Sequence, residues 1–117
     1  MPLIGNREYA VHVVGESFYD DNLHALCGAA TDHMRQFAKT AVLTLEGNNP
    51  HDRNAVRVDV DGLTVGHLSR ADAVRFRTRF GASDGSRFAC DAVLISLRGS
   101  AAADYGVRLD FERLKRL

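Results

Sequence analysis

The chain has few cysteines and no long hydrophobic run. Cys27 and Cys90 are its two cysteines, too few for a disulfide framework. No apolar stretch approaches the roughly 20 residues that a bilayer-spanning helix needs. The opening stretch MPLIGNREYA also lacks the basic segment and apolar run of a signal peptide. These absences predict a reduced, cytoplasmic protein with no membrane partner.

An excess of charge of either sign is also missing. The 15 basic residues balance the 15 acidic ones, so bulk charge does not indicate a nucleic-acid-binding protein. All but two of the bases are Arg, whose planar group pairs with phosphate and stacks on bases. The codon bias of a GC-rich genome explains the same excess. With 45% hydrophobic and 26% charged residues, the composition predicts a single globular domain over residues 1–117, with its core at about 9–111.

Known catalytic motifs are absent as well. The sequence contains no P-loop, no G-x-S-x-G and no H-E-x-x-H. No glutamate is followed two residues later by lysine, as a common type of metal-dependent nuclease requires. His24, Cys27 and His33 have metal-ligand chemistry, but three scattered ligands without a fourth do not indicate a zinc site. We therefore predict a protein that is not an enzyme and uses no metal or cofactor.

Alternating apolar residues and turn residues predict the strands. The predicted strands cover residues 9–15, 37–46, 55–60, 63–68, 87–97 and 105–111. Asp61-Gly62 is a strong signal for a two-residue hairpin turn. The strand over 87–97 is apolar on both faces, whereas Arg108 and Asp110 alternate with apolar residues in the last strand.

Helical spacing of apolar residues predicts two helices. The first covers residues 20–30, and the second begins after the cap Ser69, runs to Phe80 and stops at Gly81. Five to six short strands with two helices indicate an α+β fold, with the strands rolled into a small OB-like or SH3-like barrel. Full closure would remove the exposed strand edges. The tail over 112–117 is basic and is expected to fray.

The loop over residues 47–54 is dense in hydrogen-bonding groups and lies between two predicted strands. Loops on rigid scaffolds are common binding sites. Asp52 has two compatible roles here, since an Asp in a loop caps backbone N–H groups two residues on and also binds ligands. Asn49 and Asn54 are more typical of local backbone bonding.

Three motifs in this order carry a family resemblance. They are VVGESFY over residues 13–19, NPHDRNAV over 49–56 and GLTVGHLSR over 62–70, the last followed by Ala-Asp-Ala. Together they resemble the HIRAN domain over roughly residues 9–98, and the segment between Tyr19 and Phe37 is similar to the free-standing bacterial form. The resemblance implies an OB-like barrel that captures a free 3′ end of single-stranded DNA, as in larger DNA-remodelling enzymes.

The resemblance also implies a set of nucleic-acid-binding residues. They are Ser17, Phe18, Tyr19, His51, Asp52, Arg53, His67 and Arg70. Asp52 matches an aspartate that accepts a hydrogen bond from the 3′-hydroxyl, and Phe18 and Tyr19 match an aromatic pair on which bases stack. Ser17 and His51 stand where eukaryotic members have an arginine and a tyrosine. In this arrangement Arg53, His67 and Arg70 would hold phosphates.

Two functions are consistent with these residues. The first is a module that binds single-stranded DNA or DNA ends in repair, restriction or phage defence. The second is a protein-interaction module that docks a helicase or nuclease, its DNA groove having degenerated, as Ser17 and His51 suggest.

Because neighbouring residues on a strand point in opposite directions, we expect Tyr19 to pack and Phe18 to be exposed. The Arg-rich face of the second helix is either solvated or a phosphate contact, and a monomer is expected.

Overall fold

The computed structural model describes residues 1–81, 83–99 and 104–112. The strands are β1 (Val11–Val14), β2 (Arg35–Leu45), β3 (Val56–Val60), β4 (Leu63–Leu68), β5 (Arg87–Ser96) and β6 (Tyr105–Asp110). The helices are α1 (Asp20–Cys27) and α2 (Arg70–Phe80), and a 3-10 helix (Glu16–Tyr19) precedes α1. The strands form a closed antiparallel barrel in the order β1-β4-β3-β2-β5-β6. The predicted α+β fold with a small closed barrel is therefore confirmed.

Alternating burial along the strands builds the barrel interior. All three valines of β3 are fully buried, and β2 turns Ala41, Leu43 and Leu45 inward, as the alternation predicted. The strand β5 is apolar on both faces in sequence, but only one of its faces is fully buried. Phe88 and the alternate residues after it are buried, whereas Val93 and Ile95 on the outer face are half-buried.

Two element boundaries differ from the prediction because glycines end the elements. The strand predicted over residues 9–15 stops at Val14, since Gly15 adopts a left-handed conformation at φ 77° and the chain enters the 3-10 helix. The helix predicted over 20–30 ends at Cys27, before Gly28 at φ 78°. Phe18 is 87% exposed and Tyr19 is half-buried, as expected. The reason given was wrong, because both lie on a 3-10 helix rather than on a strand.

Helix α2 covers one end of the barrel with aromatic side chains. Its cap is the predicted one, since Ser69 Oγ accepts the N–H of Asp72 at 3.1 Å. Phe76 is fully buried. Its ring centroid lies 5.1 Å from that of Phe88 and 5.7 Å from that of Phe111, both edge to face. This geometry adds to the stabilisation that apolar burial provides.

The N-terminal residues cover Asp110, which is only 4% exposed. The alternation placed Asp110 on the outer face together with Arg108, so its burial is a correction. The carboxylate accepts the backbone N–H of Arg7 at 2.9 Å and that of Tyr9 at 3.3 Å. The sequence did not predict these partners, because the contact joins residues near the two ends of the chain. The fraying predicted for 112–117 falls, from residue 113 on, outside the described residues.

Both cysteines are buried and free. Burial raises the pKa of the Cys90 thiol to about 12 and also raises the pKa of Cys27, so neither is a reactive thiolate near neutral pH. Neither helix in the described part of the chain has the length and apolar run that a membrane crossing requires.

Replacing Asp110 with alanine should lower the free energy of unfolding by about 2–3 kcal/mol, because two partly buried N–H donors lose a charged acceptor. Urea denaturation measures this value. Asp91 is the matched control: it lies opposite Asp110 on β5 but is exposed. Asp91→Ala should therefore change stability by less than about 0.5 kcal/mol. Equal losses in the two variants would show that the N-terminal contact contributes nothing specific.

Candidate functional site

Two connections lie at one end of the barrel, and a third begins beside β4. Leu45 pairs with Val56 where β2 and β3 are joined, and His67 pairs with both Arg57 and Val14. The β2–β3 loop and the start of α2 after β4 therefore lie at the same end, whereas the 3-10 helix after β1 lies alongside β4, with the Tyr19 ring 6.2 Å from the ring of His67. These elements and β4 carry Ser17, Phe18, Tyr19, His51, Asp52, Arg53, His67 and Arg70. The structure thus brings His51, Asp52, Arg53, His67 and Arg70 to one end of the barrel, and it places Ser17, Phe18 and Tyr19 on the helix beside β4.

Asn49 organises the β2–β3 loop. Its side-chain oxygen accepts the N–H of His51 at 2.8 Å and that of Asp52 at 3.2 Å, and its own N–H bonds to the carbonyl of Glu46 at 3.2 Å. The structural role expected of Asn49 is therefore confirmed. These bonds hold His51 and Asp52 in a defined geometry.

Asp52 caps the loop with one of its two carboxylate oxygens. Oδ1 accepts the N–H of Asn54 at 2.9 Å, which is the Asx turn that its sequence position suggested. Oδ2 has no hydrogen-bond donor among the residues that the structure describes. The carboxylate is half-buried, so one oxygen fixes its orientation while the other can still accept a hydrogen bond from a ligand.

Arg77 ties the loop to α2. It donates to the carbonyl of Asn54 at 3.0 Å and of Ala55 at 3.3 Å, and it pairs with Asp84 at 2.8 Å. Gly47 lets the Asp84 carboxylate approach the loop, since a Cβ at this position would overlap it. The sequence placed Arg77 on a solvated or phosphate-binding face, but its guanidinium is bonded to groups within the protein. A second arginine, Arg70, donates to the His51 carbonyl at 3.3 Å.

A polar network crosses β2, β3 and β4 beside the loop. Glu46 lies 2.9 Å from His67 Nε2 and 3.1 Å from Arg57 Nη1, and Arg57 also pairs with Asp59 at 3.1 Å. Burial alone would lower the pKa of Arg57, but the carboxylates of Asp59 and Glu46 raise it above its ordinary value. The sequence showed Glu46 and Arg57 only as outward residues of neighbouring strands, so their part in the site was missed.

The exposed groups around this network differ in chemistry. Ser17, Phe18, His51 and Arg53 are exposed, and the Tyr19 ring lies 6.2 Å from the ring of His67. An exposed ring can stack on a base, and a guanidinium can pair with phosphate. No cluster of three metal-ligating side chains occurs within the described ranges.

Two clefts flank the site. One of about 410 Å³ follows residues Ser17 to Asn22, and one of about 530 Å³ lies between Gly47, Arg57 and Asp84. Asp52 lines neither cleft. A ligand group bound by Asp52 would therefore contact it at the surface of the β2–β3 loop rather than in either cleft.

Comparison with known proteins shows the family of this chain. A model of the HIRAN domain family matches residues 7–112. The crystal structure of the HIRAN domain of human HLTF is similar at 20% identity and a TM-score of 0.42, covering 87% of this chain and 74% of that one. No curated protein matches the chain. The chain belongs to the HIRAN domain family, as its motifs indicated, and this family is known as a DNA-binding module.

Replacing Arg77 with alanine should loosen the β2–β3 loop, because two loop carbonyls and Asp84 lose their donor. We expect a loss of about 1–2 kcal/mol in unfolding free energy and faster amide hydrogen exchange over residues 47–55. Arg75→Ala is the control, since Arg75 makes only an i,i+3 pair with Asp72 on the same helix and should cost about 0.5 kcal/mol at most. Unchanged amide hydrogen exchange in the loop of Arg77→Ala would show that Arg77 does not hold the loop against α2.

Proposed function

We propose that this chain binds single-stranded DNA and recognises the 3′-hydroxyl end through Asp52. The observation that carries the proposal is that a donor within the protein occupies only one carboxylate oxygen of Asp52. One oxygen is held by the N–H of Asn54, and the other has no donor among the described residues. Membership of a DNA-binding family supports the ligand class.

Carboxylate chemistry supports selection of a hydroxyl end. An ionised carboxylate only accepts hydrogen bonds, so it pairs with the O–H of a terminal 3′-hydroxyl. A 3′-phosphate in the same place would bring two negative charges together and be repelled. Asp52 would therefore supply selectivity between ends rather than most of the affinity.

Phe18 is the proposed stacking platform. A ring that is 87% exposed on the short helix beside β4 would offer its face to a base. Stacking of a base on an aromatic side chain contributes about 1–3 kcal/mol and tolerates any sequence. Tyr19 is half-buried near the His67 ring, so it would contribute a smaller surface, and the exposed imidazole of His51 would be a second small platform.

Arg53 and Arg70 are the proposed phosphate contacts. Neither forms an ion pair with a carboxylate in the described part of the chain, so both charges are available to a DNA backbone. At position 17, serine would contact phosphate more weakly than an arginine would. The HIRAN domain is a binding domain rather than a catalytic one, and we infer a role for it at DNA ends in repair or defence.

A fluorescent oligonucleotide with a 3′-hydroxyl should bind about 10-fold more tightly than the same strand with a 3′-phosphate, as expected for one charge-assisted hydrogen bond. Fluorescence anisotropy at low salt measures both affinities. Asp52→Asn should remove the preference, because the amide can still cap the loop but no longer repels phosphate.

Asp61→Asn is the matched control for this substitution. Asp61 is an exposed carboxylate at the β3–β4 turn, at the other end of the barrel, and should leave the preference unchanged. Equal affinity of wild-type protein for the two ends would rule out recognition of the hydroxyl. Absence of any oligonucleotide binding would favour the docking of a helicase or nuclease partner instead.

Phe18→Ala should weaken binding of both oligonucleotides by about 5- to 100-fold, because each loses a stacked base. The ratio between the two ends should stay constant, since stacking does not depend on the terminal group. Met34→Ala provides the comparison: Met34 is 57% exposed and precedes β2 at the far end of the barrel. A change in the end preference of Phe18→Ala, or no change in affinity, would contradict the stacking role.

A further inference from the structure

Glu46 connects three neighbouring strands at the site. It follows β2, and its carboxylate lies 2.9 Å from Nε2 of His67 on β4 and 3.1 Å from Nη1 of Arg57 on β3. Its side chain is only 17% exposed. Because an ionised carboxylate accepts hydrogen bonds and donates none, His67 makes this contact only with a proton on Nε2.

The contact determines what the other ring nitrogen offers. In a neutral imidazole with its proton on Nε2, Nδ1 is a hydrogen-bond acceptor. Nδ1 of His67 has no partner among the described residues, and the side chain is 27% exposed. The Tyr19 ring, 6.2 Å away, limits the space on another side of the imidazole.

We propose that Glu46 is a positioning residue that holds the orientation and the tautomer of His67 for contact with DNA. This inference rests on the proposed function, since His67 would meet the bound strand and Glu46 would not touch it. In this arrangement neutral His67 accepts a hydrogen bond from an O–H or N–H of a sugar or base. That chemistry differs from the phosphate contact that the family resemblance implied for it.

Glu46→Gln tests the role, because His67 and Arg57 contact different carboxylate oxygens of Glu46 and glutamine keeps only one acceptor oxygen. In the free protein at pH 8, the ¹⁵N and ¹³C shifts of His67 should report the Nε2–H tautomer for wild type. They should shift toward the other tautomer in Glu46→Gln. Affinity for the 3′-hydroxyl oligonucleotide should fall by about 3- to 10-fold.

Asp59→Asn separates this role from general support of the sheet. Asp59 is 19% exposed and pairs with the same Arg57, and it also accepts from Thr64 at 2.8 Å, but it does not contact His67. Its substitution should leave the His67 tautomer and the DNA affinity unchanged. In a His67→Ala background, Glu46→Gln should cause no further loss of affinity if it acts through His67.

The outcomes distinguish the two proposals. Wild-type His67 protonated on Nδ1, or an equal affinity loss from Glu46→Gln with and without His67, would overturn the positioning role. Oligonucleotide binding that Glu46→Gln leaves unchanged would overturn this role alone and leave the proposed function standing. Wild-type protein that binds no oligonucleotide would overturn both.

Discussion

The pairing of β1 with two neighbours is the constraint on which the candidate site depends. This four-residue strand pairs with β4 through Val13 and Val14 and with β6 through Val11 and His12, and these pairs close the barrel. Closure removes the open edges of β4 and β6. It also places the 3-10 helix after Gly15 beside His67, so the interactions that complete the core also set the distances within the site.

The β2–β3 loop is held by side chains because it has no regular secondary structure. Asn49 and Asp52 satisfy backbone N–H groups from inside the loop, and Arg77 satisfies two of its carbonyls from α2. A loop that is already ordered loses less conformational entropy when it binds a ligand. In the proposed function, the residues with purely structural roles here would therefore contribute to binding by keeping Asp52 in place.

Local patterns predicted the strands and helices because their causes are local. Alternating valines, the Asp61-Gly62 turn and the Ser69 cap act within a few residues, so β3, β4 and α2 were predicted closely. The start of β2 at Arg35 was missed because it depends on pairing with Ser96 of β5. Asp110 was misplaced because its partners, Arg7 and Tyr9, lie 103 and 101 residues away in sequence.

The candidate site shows the same division. Motif resemblance singled out eight residues, of which five lie where the β2–β3 loop, β4 and α2 meet and three lie on the 3-10 helix beside β4. It did not show which polar groups are bonded within the folded protein. Arg77 and Glu46 have their partners within the fold, and those partners belong to elements far apart in sequence, so only the folded geometry separates them from groups free to bind DNA.

The distribution of ion pairs bears on how a chain with no net charge would bind DNA in the proposed function. Around the loop, Glu46, Asp59, Asp72 and Asp84 each pair with an arginine, which reduces their repulsion of phosphate. Asp52 has no cationic partner within the described ranges, so its field is not cancelled in this way. A carboxylate with a free oxygen and no counter-charge discriminates most strongly between a hydroxyl and a phosphate. Asp52 is therefore better suited than Glu46, although both carboxylates lie at the same end of the barrel, to distinguish one DNA end from another.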